Sequence, residues 1–447
     1  MRFFDRRRPI GVVDTRGPRI QGWAFDKSAD KPVTVEFYVD GMKAGSAVAD
    51  HYRADLTTES PDGRCAFDFT LPAQFLDGTA RTVEVRAQGT KRPLFNGRFT
   101  AHMLANDYFS GMARWILRSG AWAMAGTAAN GVANISGWCI APPGIDEGLI
   151  TANGRTLDVS MSDGSPEWKT PLPPGMAVRT FSGSVPLAAA GEDVHFSFGL
   201  KRPFRALQDL RYPLFEVAVP EPERMKRVAG HGVEFVFNLG GYSTASKLNV
   251  MAERFAGRPL AALGPVLDWG CGCGRVGRFV ARSGAELFGV DIDADNARWC
   301  SEHIRGHFAG ISQDPPTPFE SNFFGAIYGI SVFTHLDRHY ERAWLAELHR
   351  IAKPGALLIL SVHGGLMAAY GGLIEHIVSS EFADGFADIG RNSDIDAVTK
   401  GSAYYRNVFH QPGYIAKVWG EYFEILSIEE GVIENLHDCV VMRKPPG

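Results

Sequence analysis

The pattern of hydrophobic and polar positions divides the chain into a strand-rich N-terminal part and a C-terminal part of alternating helices and strands. In the first part, apolar residues alternate with polar ones over short runs such as residues 35–39 (Val-Glu-Phe-Tyr-Val). Such alternation predicts strands with one buried face. After Pro203, longer helical patterns alternate with short apolar runs. That alternation predicts a doubly wound α/β domain with a mainly parallel sheet.

One sequence pattern occurs twice in the N-terminal part. Residues 20–25 (Ile-Gln-Gly-Trp-Ala-Phe) are echoed by residues 135–140 (Ile-Ser-Gly-Trp-Cys-Ile), and residues 39–41 (Val-Asp-Gly) by residues 152–154 (Ala-Asn-Gly). Asp-Gly and Asn-Gly between alternating residues favour two-residue hairpin turns, because both turn positions need a positive φ. Two copies of one all-β unit account for this repeat, and their short strands suggest sandwiches.

We therefore predict a multidomain chain of two all-β sandwich modules followed by an α/β domain. The predicted boundaries are 1–105 for the first module, 106–129 for a helical linker, 130–220 for the second module and 221–447 for the α/β domain. Within the linker, the apolar side chains of residues 109, 112, 115 and 116 share one helical face. That face either packs on a neighbouring domain or binds a membrane surface or a partner. Trp23 and Trp138 of the two Gly-Trp motifs are predicted core anchors, with sugar-stacking platforms as the alternative.

Composition and charge restrict the class of protein. The 447 residues are 45% hydrophobic and 21% charged, which is typical of globular domains, and the formal net charge of −4 argues against a nucleic-acid partner. No signal peptide is predicted, because the basic start at residues 1–9 lacks an apolar run, and no membrane span, because the charge-free stretches are broken by glycines. Six scattered Cys residues predict a reduced, cytoplasmic protein. Peripheral membrane association through the arginines at 6–8 and the oligomeric state are left open.

The strongest chemical signal lies in residues 265–275 (Pro-Val-Leu-Asp-Trp-Gly-Cys-Gly-Cys-Gly-Arg), an apolar strand that runs into a glycine-rich turn. Residues 276–282 then have a helical pattern. Glycines let the backbone turn tightly and let a ligand lie against the N–H groups at the helix start. A second strand, residues 287–290, ends in Asp291, where a nucleotide-binding crevice presents a carboxylate to ribose hydroxyls. The Gly-x-Gly-x-Gly spacing differs from the dinucleotide fingerprint Gly-x-Gly-x-x-Gly.

This arrangement resembles the class I S-adenosylmethionine-dependent methyltransferases over residues 235–444. Residues 323–336 look like the family's fourth strand and its exit, and residues 344–362 like its helix, Lys-Pro-Gly turn and fifth strand. Residues 422–428 and 438–442 look like its closing antiparallel pair. The resemblance implies a Rossmann-like α/β methyltransferase domain with S-adenosylmethionine as its cofactor.

The resemblance also implies which residues bind the cofactor. The turn would hold the amino-acid end of the cofactor, Asp291 would bind the ribose, and Ile292 would pack on the adenine. Ser312 stands where the family commonly has an acid near the adenine amine, which puts that contact in doubt. The full predicted set is Asp268, Gly270, Cys271, Gly272, Gly274, Asp291, Ile292, Ser312, Gln313 and Ser331.

Two neighbouring features have alternative interpretations. Cys271 and Cys273 have no Cys or His nearby in sequence to complete a tetrahedral set, so no metal site is predicted. Residues 240–243 (Gly-Gly-Tyr-Ser) are expected either to cover the cofactor or to form a loop before a helix.

Methyl transfer is an in-line displacement at an activated sulfonium, so the protein must align the acceptor and, for a hydroxyl, remove a proton. Histidine suits this task because its charge changes near neutral pH. The candidate bases are His335, His363, His410 and His437, which lie where α/β folds place their crevice. His410 and His335 are the first choices, and a structural role is the alternative for each.

The acceptor is predicted from weaker signals. Residues 330–333 (Ile-Ser-Val-Phe) lack the Asn/Asp-Pro-Pro-Tyr/Phe motif of nucleic-acid amine methyltransferases and the Pro-Cys of cytosine C5 enzymes. The Gly-Trp β-units resemble modules attached to bacterial glycan-assembly enzymes. The predicted function is O-methylation of a sugar on a polysaccharide or lipid-linked glycan. The alternatives are N- or O-methylation of a small metabolite or peptide, and a catalytically inactive glycan-binding scaffold.

Overall fold

The computed structural model describes residues 9–446 except for several segments. The residues outside the description are 18, 30, 54–55, 58–59, 61–62, 72–74, 76–79, 103–120, 142–147, 158–159, 164–176, 188–192, 201–205, 374–383, 400–403 and 435. The helix predicted around residues 109–116 lies outside the described residues. The described residues form two compact units, the first within residues 1–118 and the second within residues 119–447.

The described part of the first unit is a set of eight strands around one core. The strands are β1 (Ile10–Thr15), β2 (Arg19–Phe25), β3 (Thr34–Val39), β4 (Met42–Val48), β5 (His51–Tyr52), β6 (Arg64–Thr70), β7 (Ala80–Ala87) and β8 (Pro93–His102), paired in the order β4-β3-β7-β8-β1-β2-β6-β5. Phe37 of β3 stacks on Phe69 of β6, with ring centroids 4.1 Å apart, and meets Phe67 edge-on. Both ends of the strand order therefore contribute to the same core.

The second unit begins with eight further strands in two four-stranded sheets. They are β9 (Ala121–Ala129), β10 (Val132–Ala141), β11 (Gly148–Ala152), β12 (Arg155–Leu157), β13 (Ser160–Asp163), β14 (Ala177–Pro186), β15 (Asp193–Leu200) and β16 (Ala206–Pro213), in the orders β13-β14-β10-β9 and β12-β11-β15-β16. These orders match β5-β6-β2-β1 and β4-β3-β7-β8 of the first unit. Both predicted hairpin turns have the expected positive φ, at Asp40-Gly41 and Asn153-Gly154.

The α/β region of the second unit is built on a seven-stranded sheet. Its strands are β17 (Val266–Trp269), β18 (Leu287–Asp291), β19 (His307–Gly310), β20 (Phe324–Gly329), β21 (Ala352–His363), β24 (Glu424–Ile433) and β25 (His437–Arg443), and β22 (Phe386–Arg391) and β23 (Arg406–His410) pair separately. The order β19-β18-β17-β20-β21-β25-β24 is parallel from β19 to β21, and β25 pairs antiparallel with β21 and β24. The predicted doubly wound sheet with a closing antiparallel pair is confirmed.

Eight α-helices are described in this unit. They are α1 (Pro222–Ala229), α2 (Glu234–Ala256), α3 (Gly277–Arg282), α4 (Ala294–His303), α5 (Arg338–Ile351), α6 (Gly365–Gly371), α7 (Asp396–Thr399) and α8 (Pro412–Val418), with short 3₁₀ turns at Leu260–Ala262, Phe333–His335 and Trp419–Glu421. None of the helices in the described part of the chain is both long and apolar enough to cross a membrane.

Buried strands and capped helices position the crevice. Every residue of β17 and β20 is buried, as expected for parallel strands covered on both faces. Asp293 accepts hydrogen bonds from the N–H groups of Asp295 and Asn296 and so starts α4 directly after β18. Asp337 caps α5 in the same way. Because the strand order reverses between β17 and β20, their carboxyl ends border a crevice at the switch point of the sheet.

Helix α2 connects the second β-region to the α/β region through a shared core. Phe235 and Leu239 of α2 are buried in one cluster with Phe181 and Phe196 of the β-sheets. The ring of Phe235 stacks on Tyr212 at 4.6 Å. Gly126 of β9 makes room for that ring, since a Cβ there would lie 2.6 Å from it. The core of the second β-region is therefore completed by a helix of the α/β region.

The structure corrects two local predictions. Residues 240–243 form neither a lid nor a loop but lie inside α2, where a Cβ on Gly241 would be 2.1 Å from the carbonyl oxygen of Arg275. Their glycines permit close packing of the helix. Residues 220–224 (Pro-Glu-Pro-Glu-Arg), whose prolines predict a linker, are instead helical from Pro222 onwards, where α1 begins. Trp138 is 5% exposed, as expected for a core anchor, whereas Trp23 is half-buried.

We expect Phe235→Ala to lower the free energy of unfolding of the second unit by ~3–5 kcal/mol, because it leaves a cavity between the β-region and α2. Since both regions share this core, they should still unfold in one transition, which urea denaturation followed by tryptophan fluorescence would measure. Val250→Ala, on the same helix but 60% exposed, is the matched control. Equal unfolding of the two variants would contradict the shared core.

Candidate functional site

An open pocket lies at the carboxyl ends of β17, β18 and β20. It contains about 870 Å³ of empty space, its open side included. Five predicted cofactor residues line it, namely Gly270, Gly272, Asp291, Ile292 and Ser331. His335 lines the same pocket. The structure thus brings the glycine-rich turn, the predicted ribose acid and one candidate base together.

The glycine-rich turn needs its glycines for two reasons. Gly270, Gly272 and Gly274 have φ values of 78°, 50° and 72°, which side-chain-bearing residues rarely adopt. A Cβ on Gly270 would also lie 2.3 Å from the side chain of Val332, which lines the pocket. The N–H of Gly272 donates to the carboxylate of Asp291 at 2.6 Å, so the turn is held against the end of β18.

Asp291 has both carboxylate oxygens in fixed directions. One oxygen accepts from the N–H of Gly272 and the other from the N–H of Asp293 at 2.8 Å. Burial raises the pKa of Asp291 to about 6, although the backbone donors oppose the shift. Each oxygen keeps a further lone pair for a ligand hydroxyl.

Asp268 is buried near the turn but is not part of the pocket wall. Its Oδ2 has no hydrogen-bond partner within the described structure. Burial raises its pKa to about 7, and the neighbouring Asp291 adds to the shift. The Tyr328 hydroxyl opposes the shift. A buried carboxyl near the turn fits a site that receives a cationic ligand, because a nearby positive charge would favour its ionised form.

The cysteines of the turn hold the backbone rather than line the pocket. The buried thiols of Cys271 and Cys300 both donate to the carbonyl of Gly272, at 3.7 and 3.4 Å. The thiol of Cys273 donates to the carbonyl of Arg224, and burial raises its pKa to about 12. The described residues contain no group of three or more His, Cys, Asp or Glu side chains placed to hold a metal ion.

The remaining predicted cofactor residues lie beside the pocket without lining it. Gly274 packs against Ile304 and Cys300. The hydroxyl of Ser312 donates to the carbonyl of Asp314 at 2.5 Å. The carbonyl of Gln313 accepts from the indole of Trp344, which does line the pocket.

His335 is the candidate base that the structure places on the pocket wall. Its Nδ1 donates to the carbonyl of Arg406 at 2.7 Å, so Nε2 carries the lone pair, and the Ser331 hydroxyl lies 3.4 Å from it. The ring stacks on Tyr405 at 3.9 Å. Burial lowers the pKa of His335 to about 4, so it is neutral at physiological pH.

Ser331 has a strained backbone at this point. Its φ is 61°, in the left-handed region, which costs a residue with a Cβ ~1–3 kcal/mol. Its N–H donates to the hydroxyl of Ser361 on β21 at 2.7 Å, which helps to hold this conformation. The strain keeps the Ser331 hydroxyl beside His335 and Thr334.

His410, the other first choice for the base, does not line the pocket. Its Nε2 donates to the carboxylate of Glu341 at 2.8 Å, and both side chains are fully buried. The same carboxylate accepts from Tyr414 at 2.5 Å and from Trp419 at 2.8 Å. These contacts favour the structural alternative for His410, because three donors meet on one buried carboxylate.

His363 and His437 form a buried row with His335. The ring of His363 lies 5.8 Å from that of His335 and 5.0 Å from that of His437. Burial and the neighbouring imidazoles lower the pKa of His363 well below its ordinary value. Burial lowers the pKa of His437 to about 3. Neither lines the pocket among the described residues.

Sequence reasoning missed two parts of the wall. Arg227 and Val228 come from α1, and its Arg224 and Arg227 pair with Asp295 at 2.8 and 3.1 Å. Pro222 was the sequence feature that could have predicted α1, because proline is favoured at the first position of a helix. The other missed part consists of Trp344, Ile395, Val398, Tyr404 and Tyr405. The available signal was the pair Tyr404-Tyr405, which opens a polar, aromatic stretch (residues 404–410) in the insertion between β21 and β24.

Residues 267–360 match the family model described as a methyltransferase domain. The match confirms the predicted enzyme class, methyltransferase, and with it S-adenosylmethionine as the cofactor of the domain. Comparison with curated proteins found no match.

Several solved structures are similar to part of the chain. A protein from Pyrococcus horikoshii is 18% identical, with 45% of this chain and 90% of that chain covered and a TM-score of 0.33. An S-adenosylmethionine-dependent methyltransferase from Methanosarcina mazei is 18% identical, with 41% and 93% covered and a TM-score of 0.31. The glycopeptide N-methyltransferase MtfA, complexed with S-adenosylmethionine, is 15% identical, with 46% and 94% covered and a TM-score of 0.32.

We expect His410→Ala to lower the free energy of unfolding by ~1–3 kcal/mol, because the buried carboxylate of Glu341 loses a donor. Cofactor affinity should not change, since His410 lies outside the pocket. Thermal unfolding and calorimetry of the same preparation would measure the two quantities. His339→Ala, at the exposed start of α5, is the control. Wild-type stability combined with lost turnover in His410→Ala would instead favour a catalytic role.

Proposed function

We propose that the second unit transfers a methyl group from S-adenosylmethionine to a sugar hydroxyl of a polysaccharide or lipid-linked glycan. The observation that carries this proposal is that the glycine-rich turn, Asp291 and His335 line one pocket. The first two suit a nucleoside with an amino-acid end, and the third suits a hydroxyl that must lose its proton.

The residues present fit the cofactor. Asp291 would accept hydrogen bonds from the ribose hydroxyls with the lone pairs that Gly272 and Asp293 leave. The turn would hold the amino-acid end, and Ile292 would pack on the adenine, with Ile311 and Leu336 adding apolar surface to the same wall. The carboxylates of Asp268 and Asp291 favour a positively charged ligand. When bound, the cofactor supplies a methyl group on an activated sulfonium.

His335 would act as the general base. Its Nδ1–H is fixed by the carbonyl of Arg406, which leaves Nε2 as the proton acceptor. Stacking on Tyr405 holds the ring plane. The lowered pKa keeps Nε2 unprotonated before the reaction, and it takes the acceptor proton as the methyl group is transferred. The Ser331 hydroxyl would orient the acceptor beside Nε2.

A glycan acceptor is supported by the wall that the insertion contributes. Tyr404 and Tyr405 present aromatic rings at the pocket, and such rings pack on the apolar faces of sugars while their hydroxyls donate hydrogen bonds. The net charge of −4 disfavours a nucleic-acid acceptor. We further propose that the β-regions are sandwich modules of the kind found on bacterial glycan-assembly enzymes, and that the protein works in the cytoplasm.

Cofactor binding should depend on ionised Asp291. Its pKa of about 6 predicts that S-adenosylmethionine binds more tightly as the pH rises from 5 to 7, because the carboxylate forms in this window. We expect Asp291→Asn to weaken binding ~10–100-fold, as for loss of a hydrogen bond to a charged group, and to reduce the pH dependence, to which Asp268 with its pKa of about 7 still contributes. Calorimetry measures both. Asp314→Asn, exposed and outside the pocket, should bind like the wild type. Unchanged affinity in Asp291→Asn would discard the ribose contact.

The acceptor and the base can be tested together on a glycan array with methyl-labelled S-adenosylmethionine. We expect label on a subset of sugars, and a rate lowered ~10²–10⁴-fold in His335→Gln with cofactor affinity retained. His363→Gln, which changes a residue outside the pocket wall, should keep more activity than His335→Gln. Label on peptides or small metabolites but on no glycan would overturn the acceptor assignment, and full turnover in His335→Gln would overturn the base.

A further inference from the structure

A second pocket lies in the first unit, where the described residues of β1, β2, β5 and β6 meet. It contains about 690 Å³ of empty space with its open side included. Its wall combines apolar surface from Ala66 and Phe67 with a row of polar side chains. The polar lining residues are Asp14, Thr15, Gln21, His51, Tyr52, Arg53 and Asp68. We call it the polar groove.

Hydrogen bonds across three strands arrange the floor of the groove. Thr15, Gln21 and Asp68 are direct neighbours on β1, β2 and β6. The hydroxyl of Thr15 donates to the amide oxygen of Gln21 at 3.4 Å, and the amide nitrogen of Gln21 donates to Asp68 at 2.9 Å. Because each group is oriented by its neighbour, the row presents donors and acceptors at fixed positions.

The charges of the groove favour a neutral ligand. Arg53 is paired with Asp14 at 2.5 Å, so the guanidinium is neutralised where it meets the groove. Asp68 adds a second carboxylate to the described lining. Charges of both signs thus line the groove, and neutral hydroxyl groups can donate to the carboxylates and accept from the amide and guanidinium.

An aromatic ring stands at the rim. Tyr52 is 58% exposed, which is unusual for a large aromatic side chain on a short edge strand. Its ring rests against Gly63, where an added Cβ would be 3.0 Å from it. A ring held in this way offers an apolar face beside a polar floor, which is the combination that the two faces of a pyranose require.

We propose that the polar groove binds a neutral oligosaccharide, with Gln21 and Asp68 bonding its hydroxyls and Tyr52 packing on a ring face. The site is distinct in residues and chemistry from the methyl-transfer pocket. Binding there does not depend on the cofactor or on turnover, so the first unit is a glycan-binding module in its own right.

The test uses the full-length protein without cofactor. Fluorescently labelled protein is applied to an array of neutral oligosaccharides, and the best ligand is then titrated by calorimetry. We expect Gln21→Ala and Asp68→Ala to weaken binding at least ~10-fold and Tyr52→Ala ~3–10-fold, as for lost hydrogen bonds and ring contacts. Because Tyr52 is exposed, Tyr52→Ala keeps the test valid if a floor variant unfolds.

Matched controls lie on the same unit away from the groove. Phe95→Ala removes an aromatic ring that is 71% exposed on β8, and Asp26→Asn removes a loop carboxylate. Both should bind the sugar like the wild type. Failure of every neutral sugar to bind, or binding that all groove variants retain, overturns the proposal.

Two further probes test whether the groove prefers a charged ligand to a neutral one. Stronger binding of a sulfated heparin hexasaccharide or of spermine than of any neutral sugar overturns the assignment to a neutral ligand. Titration of S-adenosylmethionine into Gln21→Ala separates this proposal from the proposed function: the cofactor should bind with wild-type affinity whether or not the groove binds sugar.

Discussion

The hydrogen bond from the Gly272 N–H to the Asp291 carboxylate is the constraint on which the catalytic pocket depends. It joins the turn after β17 to the last residue of β18, so two neighbouring strand ends share one fixed geometry. The left-handed glycines make the turn sterically possible, and the thiols of Cys271 and Cys300 hold its carbonyl side. The carboxylate that orients the turn is also the one that we propose binds the ribose, so one side chain would serve both the shape of the pocket and recognition of the cofactor.

Backbone strain at Ser331 and the burial of His335 shape the part of the pocket wall that follows β20. Ser331 adopts a left-handed backbone at the exit of β20, and Ser361 helps to hold it there. His335 is kept neutral by burial and oriented by a backbone carbonyl. Glu341 accepts hydrogen bonds from His410, Tyr414 and Trp419 in one buried network, which helps to fix the insertion that carries Tyr404 and Tyr405. The insertion is therefore stabilised at one place and contributes Tyr404 and Tyr405 to the pocket wall at another.

Much of the α/β region could be predicted because its signals are local. Continuous apolar runs define β17 and β20, and the Gly-x-Gly-x-Gly turn with Asp291 defines the crevice. The spacing of residues in the sequence does not show whether a side chain lines the pocket or is buried in the core behind it. His335 and His410 both follow apolar segments, yet one lines the pocket and the other bonds a buried carboxylate 69 residues away in the chain. Gly240 and Gly241 resemble a loop in sequence and are helical because Arg275 and Phe279 pack against them.

The packing of helix α2 against the second β-region limits how the domains of such a chain can be exchanged during evolution. The two β-regions have the same strand order, yet only the second includes Phe235 and Leu239 of the α/β region in its core. A β-unit whose core includes side chains of a helix from another region cannot be exchanged, duplicated or lost without exposing those apolar side chains. The first β-unit has a core of its own. Diversification by domain shuffling would therefore act on the first unit, and the second would be inherited together with the catalytic sheet.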